Sequence, residues 1–448
     1  MINSVASALH FMSRKQKARS GNPDLRRATQ LPGPPIAEIE AKLWHWLSPE
    51  SFKPSSLIPS DKKRRERLLT LPVMMAVVLS LVYRRISSLS EVVRVLESEG
   101  LLWVDPFKVS KQALSKRLAC LPADLFGQVF EMTIAKIRSQ ADKLPIPAGW
   151  ESVCQSFSSI WIADGSTLEA LRKRLKTNLE STKGLGGRMM MIVEAFNHQP
   201  IASWYTHNST AHDQNWTEQL LERLPVGGLL IFDLGFFNFV WFDAFTDTGK
   251  FFVTRLRQKT AYQVIHTLSS SNFYKDEIIK MGLYRSNPCN HQVRLVSVLW
   301  GKTWYYYLTN VKDPQNLSAR QVCELYRRRW RVEEAFLLTK RLLGLSYLWV
   351  GGNNGVEIQL YATWIFDAVI NDLCSSVAVE LGQPKERISV EMVFRGLYHF
   401  SRYLLRGKMT DVVTYLVDNH KMLSLIKQER KRHRDNAAFE LEIWESTA

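Results

Sequence analysis

The 448-residue sequence predicts an α+β protein whose β-rich centre lies between helical ends. Three observations carry that expectation. From about residue 158 the chain alternates β-rich runs with helical stretches, in the order three strands, helix, strand, helix, strand. Residues 258–316 lose the helical rhythm and read as further strands rich in aromatic side chains. The segments before residue 151 and after residue 350 are mostly helical in pattern. The expected organisation is a helical region over 1–150, a core built from 151–257 and 317–350, a β-rich insertion over 258–316, and a second helical region over 351–448.

Residues 1–60 mix basic residues with Ser, Gly and Pro, including PGPP at 32–35, around one amphipathic patch, IEAKLWHWL. They suit a partly ordered arm that contacts nucleic acid, and equally a solvated tail. KKRRER at 62–67 leads into the longest apolar run, 68–83. That run is shorter than the roughly 20 residues a bilayer requires, so it reads as a buried helix with Pro72 in its first turn. Ser88 and Glu91 have capping-box spacing, and Leu89, Val92, Val93 and Leu96 follow at helical intervals. Ser110 opens a second helix, SKQALSKRLACL, with Ala113, Leu114 and Leu118 as its apolar face and Lys111, Lys116 and Arg117 largely off it. Two capped helices, the second short and basic, suit a helix-turn-helix-like DNA contact through those three cations; a plain helical bundle fits the same pattern.

The strands of the centre are SIWIADGSTL, MMMIVEAFN and IASWYTHN, with a Gly-Gly turn before Arg188. HDQNWTEQLLERL reads as a helix, Gly227-Gly228 leads into the short buried strand of LLIFDLGFF, and FFVTRLR is a further strand. HQVRLVSVLWGKTWYYYLTN reads as a hairpin turning near Gly301-Lys302. The following YRRRWRVEEAFLLTK, 326–340, reads as a helix. Gly-Gly-Asn-Asn then breaks the chain, and the helical remainder ends in a basic cluster at 427–434.

A net charge of +16 and a pI near 9.6 point to a polyanionic partner, nucleic acid ahead of a membrane surface. Five scattered cysteines, never spaced as CxxC, argue against a disulfide framework and against a structural zinc site. Without a signal-peptide pattern, the expected compartment is the cytoplasm.

Chemistry gathers at three places. Tyr326, Arg329, Glu333 and Lys340 recur at offsets of three, four and seven, which would set them on one face of a helix, with Val332, Phe336, Thr339 and Leu343 as the stripe packing inward. Asp164 and Asp233 each follow an apolar run and precede a turn, and a carboxylate there has a high desolvation cost unless it is paired or metal-bound. Three converging carboxylates, Asp164, Asp233 and Glu333, could hold two Mg²⁺ or Mn²⁺ ions about 3.5–4 Å apart for phosphodiester chemistry by in-line displacement. Such chemistry needs no covalent protein intermediate.

On these residues the chain resembles the bacterial insertion-sequence transposases of the DDE class, specifically the IS-four family to which the Tn-five transposase also belongs. The family hallmark of Tyr, two residues, Arg, three residues, Glu, six residues, Lys is met by Tyr326, Arg329, Glu333 and Lys340. Asp164 with Gly165 matches a second motif and Asp233-Leu234-Gly235-Phe236 a third, with a gap of 69 residues from position 164 to 233 and 100 from 233 to 333. The resemblance runs from about 158 to 345. It implies an RNase H-like catalytic core, a mixed five-stranded sheet flanked by helices, carrying the β-rich insertion. It implies Asp164, Asp233 and Glu333 as catalytic metal ligands, and Tyr326, Arg329 and Lys340 as grips on DNA phosphates. A tryptophan of the insertion, Trp304 or Trp300, would stack on a flipped base or serve as a hairpin core aromatic; Lys183 and Arg188 are further phosphate candidates beside a solvated-turn reading.

The expected function is cut-and-paste DNA transposition: hydrolysis at the ends of its own element, then attack by the freed 3′-OH, through a terminal hairpin if it follows its relatives, and joining to target DNA. The expected partners are double-stranded DNA, as terminal inverted repeats and target, and further copies of the chain as a homodimer or multimer, with no membrane. Two alternatives share the features: an RNase H-like nuclease that cuts without joining, and a catalytically silent DNA-binding repressor.

Overall fold

The computed structural model describes residues 36–47, 68–86, 88–140, 146, 149–168, 187–208, 210–330, 332, 336, 352–408 and 410–428. The PGPP and KKRRER stretches and most of the terminal basic cluster lie outside them, as do Lys183, Glu333, Thr339, Lys340 and Leu343.

Helices α1 (Ala37–Leu47), α2 (Leu71–Tyr83), α3 (Leu89–Ser98), α4 (Lys111–Cys120), α5 (Asp124–Gln140) and α6 (Glu151–Ser156) precede the sheet. Helix α2 is apolar on nearly every side because it is buried on nearly every side, with Pro72 in its first turn, where no backbone donor is lost. The expected caps form: the Ser88 hydroxyl accepts from the Glu91 N–H and the Ser110 hydroxyl from the Ala113 N–H. Leu114 and Leu118 are buried, whereas Ala113, expected beside them, is exposed.

Strands β1 (Ile160–Thr167), β2 (Arg188–Glu194), β3 (Pro200–Thr206), β4 (Leu229–Ile231) and β5 (Phe251–Arg255) follow, with α7 (Thr217–Arg223) between β3 and β4 and α8 (Phe239–Asp247) between β4 and β5. The helical stretch expected at HDQNW opens as a 3₁₀ turn, Asp213–Trp216, before α7. Strand β1 runs parallel to β4 and antiparallel to β2, and β4 runs parallel to β5. Alternating side chains reach opposite faces. Ile160, Ile162, Met189, Met191, Leu229 and Ile231 join one core; Trp161, Ala163, Met190, Ile192, Leu230 and Phe232 join the other. Both faces are covered, so the strands read as continuous apolar runs rather than alternating ones.

The insertion supplies β6 (Tyr262–Ser270), β7 (Tyr274–Met281), β8 (Val293–Trp300) and β9 (Thr303–Thr309). It does not stand apart from the core. Strand β9 pairs antiparallel with β5, giving one nine-stranded mixed sheet in the order β3-β2-β1-β4-β5-β9-β8-β7-β6. The Trp300↔Thr303 register places the β8–β9 turn at Gly301-Lys302, as the sequence predicts.

Helix α9 (Ala319–Arg328) returns the chain to the core, and α10 (Asn353–Glu380), α11 (Val390–Leu404) and α12 (Val412–Asp418) complete it. Helix α10, 28 residues, is the longest helix among the described residues. By length and composition it could cross a membrane, yet 78% of that stretch is buried inside the protein, against α2, α4, α5, α11, α12 and β3. It is the central core helix. Asn354 in its first turn ties it to the N-terminal helices by donating to the Leu118 and Leu121 carbonyls and accepting from the Ala123 N–H.

Candidate active site

The register of the two parallel strands builds the site. Ile162 pairs with Ile231, and two residues beyond each lies an acid, Asp164 on β1 and Asp233 just past β4. Equivalent positions on neighbouring parallel strands bring both carboxylates to the same sheet end. That end is the C-terminal edge of the strands, where open α/β sheets present ligand sites.

Each acid is held by the backbone that follows it. Asp164 Oδ1 accepts the Gly165 N–H at 2.9 Å, and Asp233 Oδ1 accepts the Gly235 N–H at 2.8 Å while capping the 3₁₀ turn Leu234–Phe236. Asp164 is 8% exposed, and its other oxygen accepts from Arg329 Nη1 at 2.8 Å. Burial pushes the Asp164 carboxyl up to about 7; Arg329 opposes that rise and the negative charge of Asp233 adds to it. Arg329 is pulled the other way: burial opposes its charge, but Asp164 and Tyr326 hold it above the ordinary arginine range.

Arg329 reaches Asp164 because α9 is fixed at both ends. At its start Ser318 and Gln321 form a reciprocal capping box. The wholly buried Arg294 of β8 donates to the Leu317 carbonyl at 2.6 Å, immediately before that cap, and is paired with Asp276 of β7 through two bonds of 2.7 and 2.6 Å. At its far end the three consecutive arginines part ways. Arg327 lies 4.2 Å over the Trp300 ring, Arg328 pairs with Glu386 at 2.6 Å beside Trp150 and Phe196, and Arg329 points to Asp164. Tyr326 is buried against Tyr307, ring centroids 5.4 Å apart, and lies under the Arg329 guanidinium.

Within the described part of the helix expected over 326–340, one residue, Arg329, forms a turn while keeping right-handed helical backbone angles. Helix α9 ends at Arg328, and Arg329 sits in the turn, bonded to the Tyr326 carbonyl and bonded in turn by the Val332 N–H. Trp330, Val332 and Phe336 are helical again, and Val332 and Phe336 are buried as the inward stripe requires.

Hard oxygen donors at one sheet end suit a divalent cation. Asp233 is close enough to Asp164 for its charge to be felt there, and the two carboxylates are the described residues that could serve as ligands of such an ion. Among the described residues no three His, Cys, Asp or Glu side chains gather in a metal-holding group, and Glu333, the expected third ligand, lies outside them.

The transposase DDE domain family matches residues 155–365, which contain the whole Tyr326 signature, Asp233 just past β4, and Asp164, which lies within β1 and not, as expected, before a turn, because β1 stays paired with β2 as far as Thr167. The chain carries a DDE-type transposase domain. Over 161 residues, 35% of this chain, it is 23% identical to a Synechocystis protein whose name makes it a candidate transposase for insertion sequence element IS4SA. That match spans 44% of the relative's length. The chain is also similar to a piggyBac transposase solved by cryo-EM as a synaptic complex with hairpin DNA, at 11% identity and a TM-score of 0.42, covering 91% of this chain and 90% of that one.

Other residues singled out in the sequence fall at varied distances from the DDE site. Lys111 and Lys116 are exposed on α4, whereas Arg117 beside them turns inward and donates from Nε to the Leu69 carbonyl at 2.9 Å. Arg188 begins β2 opposite Thr167 and pairs with Asp213 at 2.5 Å rather than projecting from a turn. Trp300 and Trp304 are both partly buried on the β8–β9 hairpin. Two residues went unremarked. Trp330, 60% exposed, has its ring centroid 5.2 Å from the Arg329 guanidinium. Asp213, from the 3₁₀ turn before α7, approaches both motif glycines. It follows no apolar run, so a search for acids at strand ends passes over it.

Proposed function

We propose that this protein is a DNA transposase that cuts the ends of its own element and joins them to target DNA, with Asp164, Asp233 and Glu333 as ligands of one or two Mg²⁺ or Mn²⁺ ions. The observation that carries the reading is the pairing of β1 with β4, which sets Asp164 and Asp233 at one sheet end with Arg329 of the Tyr326 signature 2.8 Å from Asp164. The DDE-domain match over 155–365 and the +16 charge support it.

Bound there, divalent ions would supply an activated oxygen nucleophile and charge stabilisation at the leaving oxygen. The chain's own residues do the rest. Asp164 and Asp233 are pinned at one oxygen each by the N–H of Gly165 and Gly235, so their carboxylates are oriented before anything binds. Arg329 offsets the charge of the buried Asp164 and holds its second oxygen. The Tyr326 and Trp330 rings both contact the guanidinium, and the exposed Trp330 offers a ring on which a base can stack. Lys340 of the same signature would contact phosphate, and Lys111 and Lys116 would add sequence-independent contacts from the N-terminal helices.

The test is strand joining. Purified protein is incubated with Mg²⁺ or Mn²⁺, a supercoiled plasmid carrying the element's two ends, and a target plasmid. End cleavage followed by covalent joining supports a transposase. Cleavage without joining replaces it with a nuclease, and end binding without cleavage under either metal replaces it with a DNA-binding repressor.

A further inference from the structure

Both acid motifs carry a glycine, and neither Gly165 nor Gly235 adopts a positive φ. Backbone freedom therefore does not explain them. Space does. A Cβ at Gly165 would collide with Asp213 Oδ1, and one at Gly235 would lie 2.7 Å from Asp213 Oδ2 and 2.9 Å from Asp233 Oδ1, closer than side-chain carbons approach. The Asp213 carboxylate thus fills the room left by Gly165 and shares with Asp233 the room left by Gly235, one oxygen against β1 and the other against the chain leaving β4.

Asp213 cannot swing away cheaply. Arg188 Nη2 donates to Asp213 Oδ1 at 2.5 Å, Arg188 Nη1 donates to the Ala211 carbonyl at 3.1 Å, and the Asp213 side chain is 11% exposed. Arg188 itself is held by the pairing of β2 with β1, directly opposite Thr167. Asp213 nonetheless does not complete a metal-holding group with Asp164 and Asp233. Its place is beside the two acids.

We infer that Asp213, clamped by Arg188, is a positioning residue of the DDE site: it sets the gap between β1 at Asp164 and the turn at Asp233 and adds negative field where a divalent cation would bind. This rests on the proposed function for its reaction, but not for its metal readout. Partners behind first-rank ligands typically change metal affinity or activity about 10–100-fold when removed.

The experiment compares wild type, Asp213→Asn, Asp213→Ser, Gly165→Ala and the double variant Gly165→Ala/Asp213→Ser. Two quantities are read: Mn²⁺ binding by calorimetry on the full chain, and the metal concentration giving half-maximal cleavage of end DNA. Metal-free thermal unfolding and end-DNA binding establish that each variant is folded. Asp213→Asn keeps the shape and removes the charge, so it is expected to weaken Mn²⁺ binding and raise the half-maximal metal concentration by about 10-fold or more. Gly165→Ala is expected to do the same by displacing the Asp213 carboxylate, and the double variant to be no worse than Gly165→Ala alone, because the collision with Asp213 has gone. Unchanged metal binding in folded Asp213→Asn overturns the inference, as do effects that multiply independently in the double variant. If wild type cuts no DNA, the proposed function fails separately, and Asp213 is still judged on Mn²⁺ binding. If Asp213→Asn does not fold, the comparison of Gly165→Ala with the double variant decides.

Discussion

The ion pair between Arg294 and Asp276 should be the most costly single contact to break in the insertion, and breaking it should disturb a site on another part of the sheet. Arg294 side-chain exposure is 0% and Asp276 is 3%, so neither charge has water to fall back on. Asp276→Ala leaves a buried guanidinium without its counter-charge, a loss of about 3–5 kcal/mol. Against a total stability of about 5–15 kcal/mol, that is a large fraction. Replacing both residues, as Arg294→Met with Asp276→Leu, removes the stranded charge but also the donors to the Leu317 and Val311 carbonyls. The expected cost is then smaller, about 1–3 kcal/mol for the carbonyls left without a partner. Urea unfolding of wild type, both single variants and the double variant gives the coupling energy directly. Because Arg294 also holds the residue preceding the Ser318 cap, Asp276→Ala should loosen α9 and lower end cleavage even at temperatures where the protein stays folded. A cost below about 1 kcal/mol for Asp276→Ala, or additive effects around the cycle, would refute this reasoning.

Three further outcomes follow from other parts of the molecule. Burial pushes the Asp367 carboxyl in α10 up to about 7, against the pull of Lys385 and a hydrogen bond from Asn371, and its Oδ1 has no hydrogen-bond partner among the described residues. A carboxyl raised in the folded state favours folding below its unfolded value near 4 and loses that contribution as pH climbs toward 7; stability measured by urea unfolding should therefore fall more steeply from pH 4 to pH 8 in wild type than in Asp367→Asn, and parallel profiles would count against it. Changing Lys111 and Lys116 together to Ala should weaken DNA binding for any sequence and reduce the slope of log affinity against log salt by up to about 2, read by fluorescence anisotropy, whereas an unchanged slope would take α4 off the DNA. Arg329→Ala should abolish end cleavage by at least about 100-fold while leaving binding of end DNA within a few-fold, since it removes the partner of Asp164 rather than an exposed phosphate contact; loss confined to DNA binding would reverse that assignment.

The parts that could be read from the sequence are those fixed by local rules. The strand order around Asp164 and Asp233 followed from apolar runs and turn residues, and the Ser88 and Ser110 caps from spacing alone. What escaped depends on pairing between distant segments. Nothing local in 258–316 says that β9 joins β5 and extends the core sheet instead of forming a separate layer. The turn at Arg329 was likewise invisible, because a 3.6-residue period carries through 326–340 whether or not one residue tightens to i→i+3 bonding. Arg188 looked like a surface cation beside a glycine turn, and only the β1–β2 register reveals it as the partner of Asp213. Asp213 itself carries no sequence mark beyond being an acid before a helix, and its meaning comes from two glycines 48 and 22 residues away along the chain, at positions 165 and 235. Arg117, placed off the apolar face by helical periodicity, is drawn in by a carbonyl 48 residues upstream.

In the proposed function Asp164, Asp233 and Glu333 act together as one metal site for DNA cleavage. Its most direct test is metal-dependent cutting of the element's ends by wild type beside Asp164→Asn, Asp233→Asn and Glu333→Gln, each checked for folding and for binding to end DNA. The expected result is cutting by wild type with Mg²⁺ or Mn²⁺, loss of at least about 1,000-fold in every variant, and end binding retained in all three. A folded variant that still cuts at near wild-type rate would remove that residue from the site, and metal-independent cutting by wild type would contradict the claim as a whole.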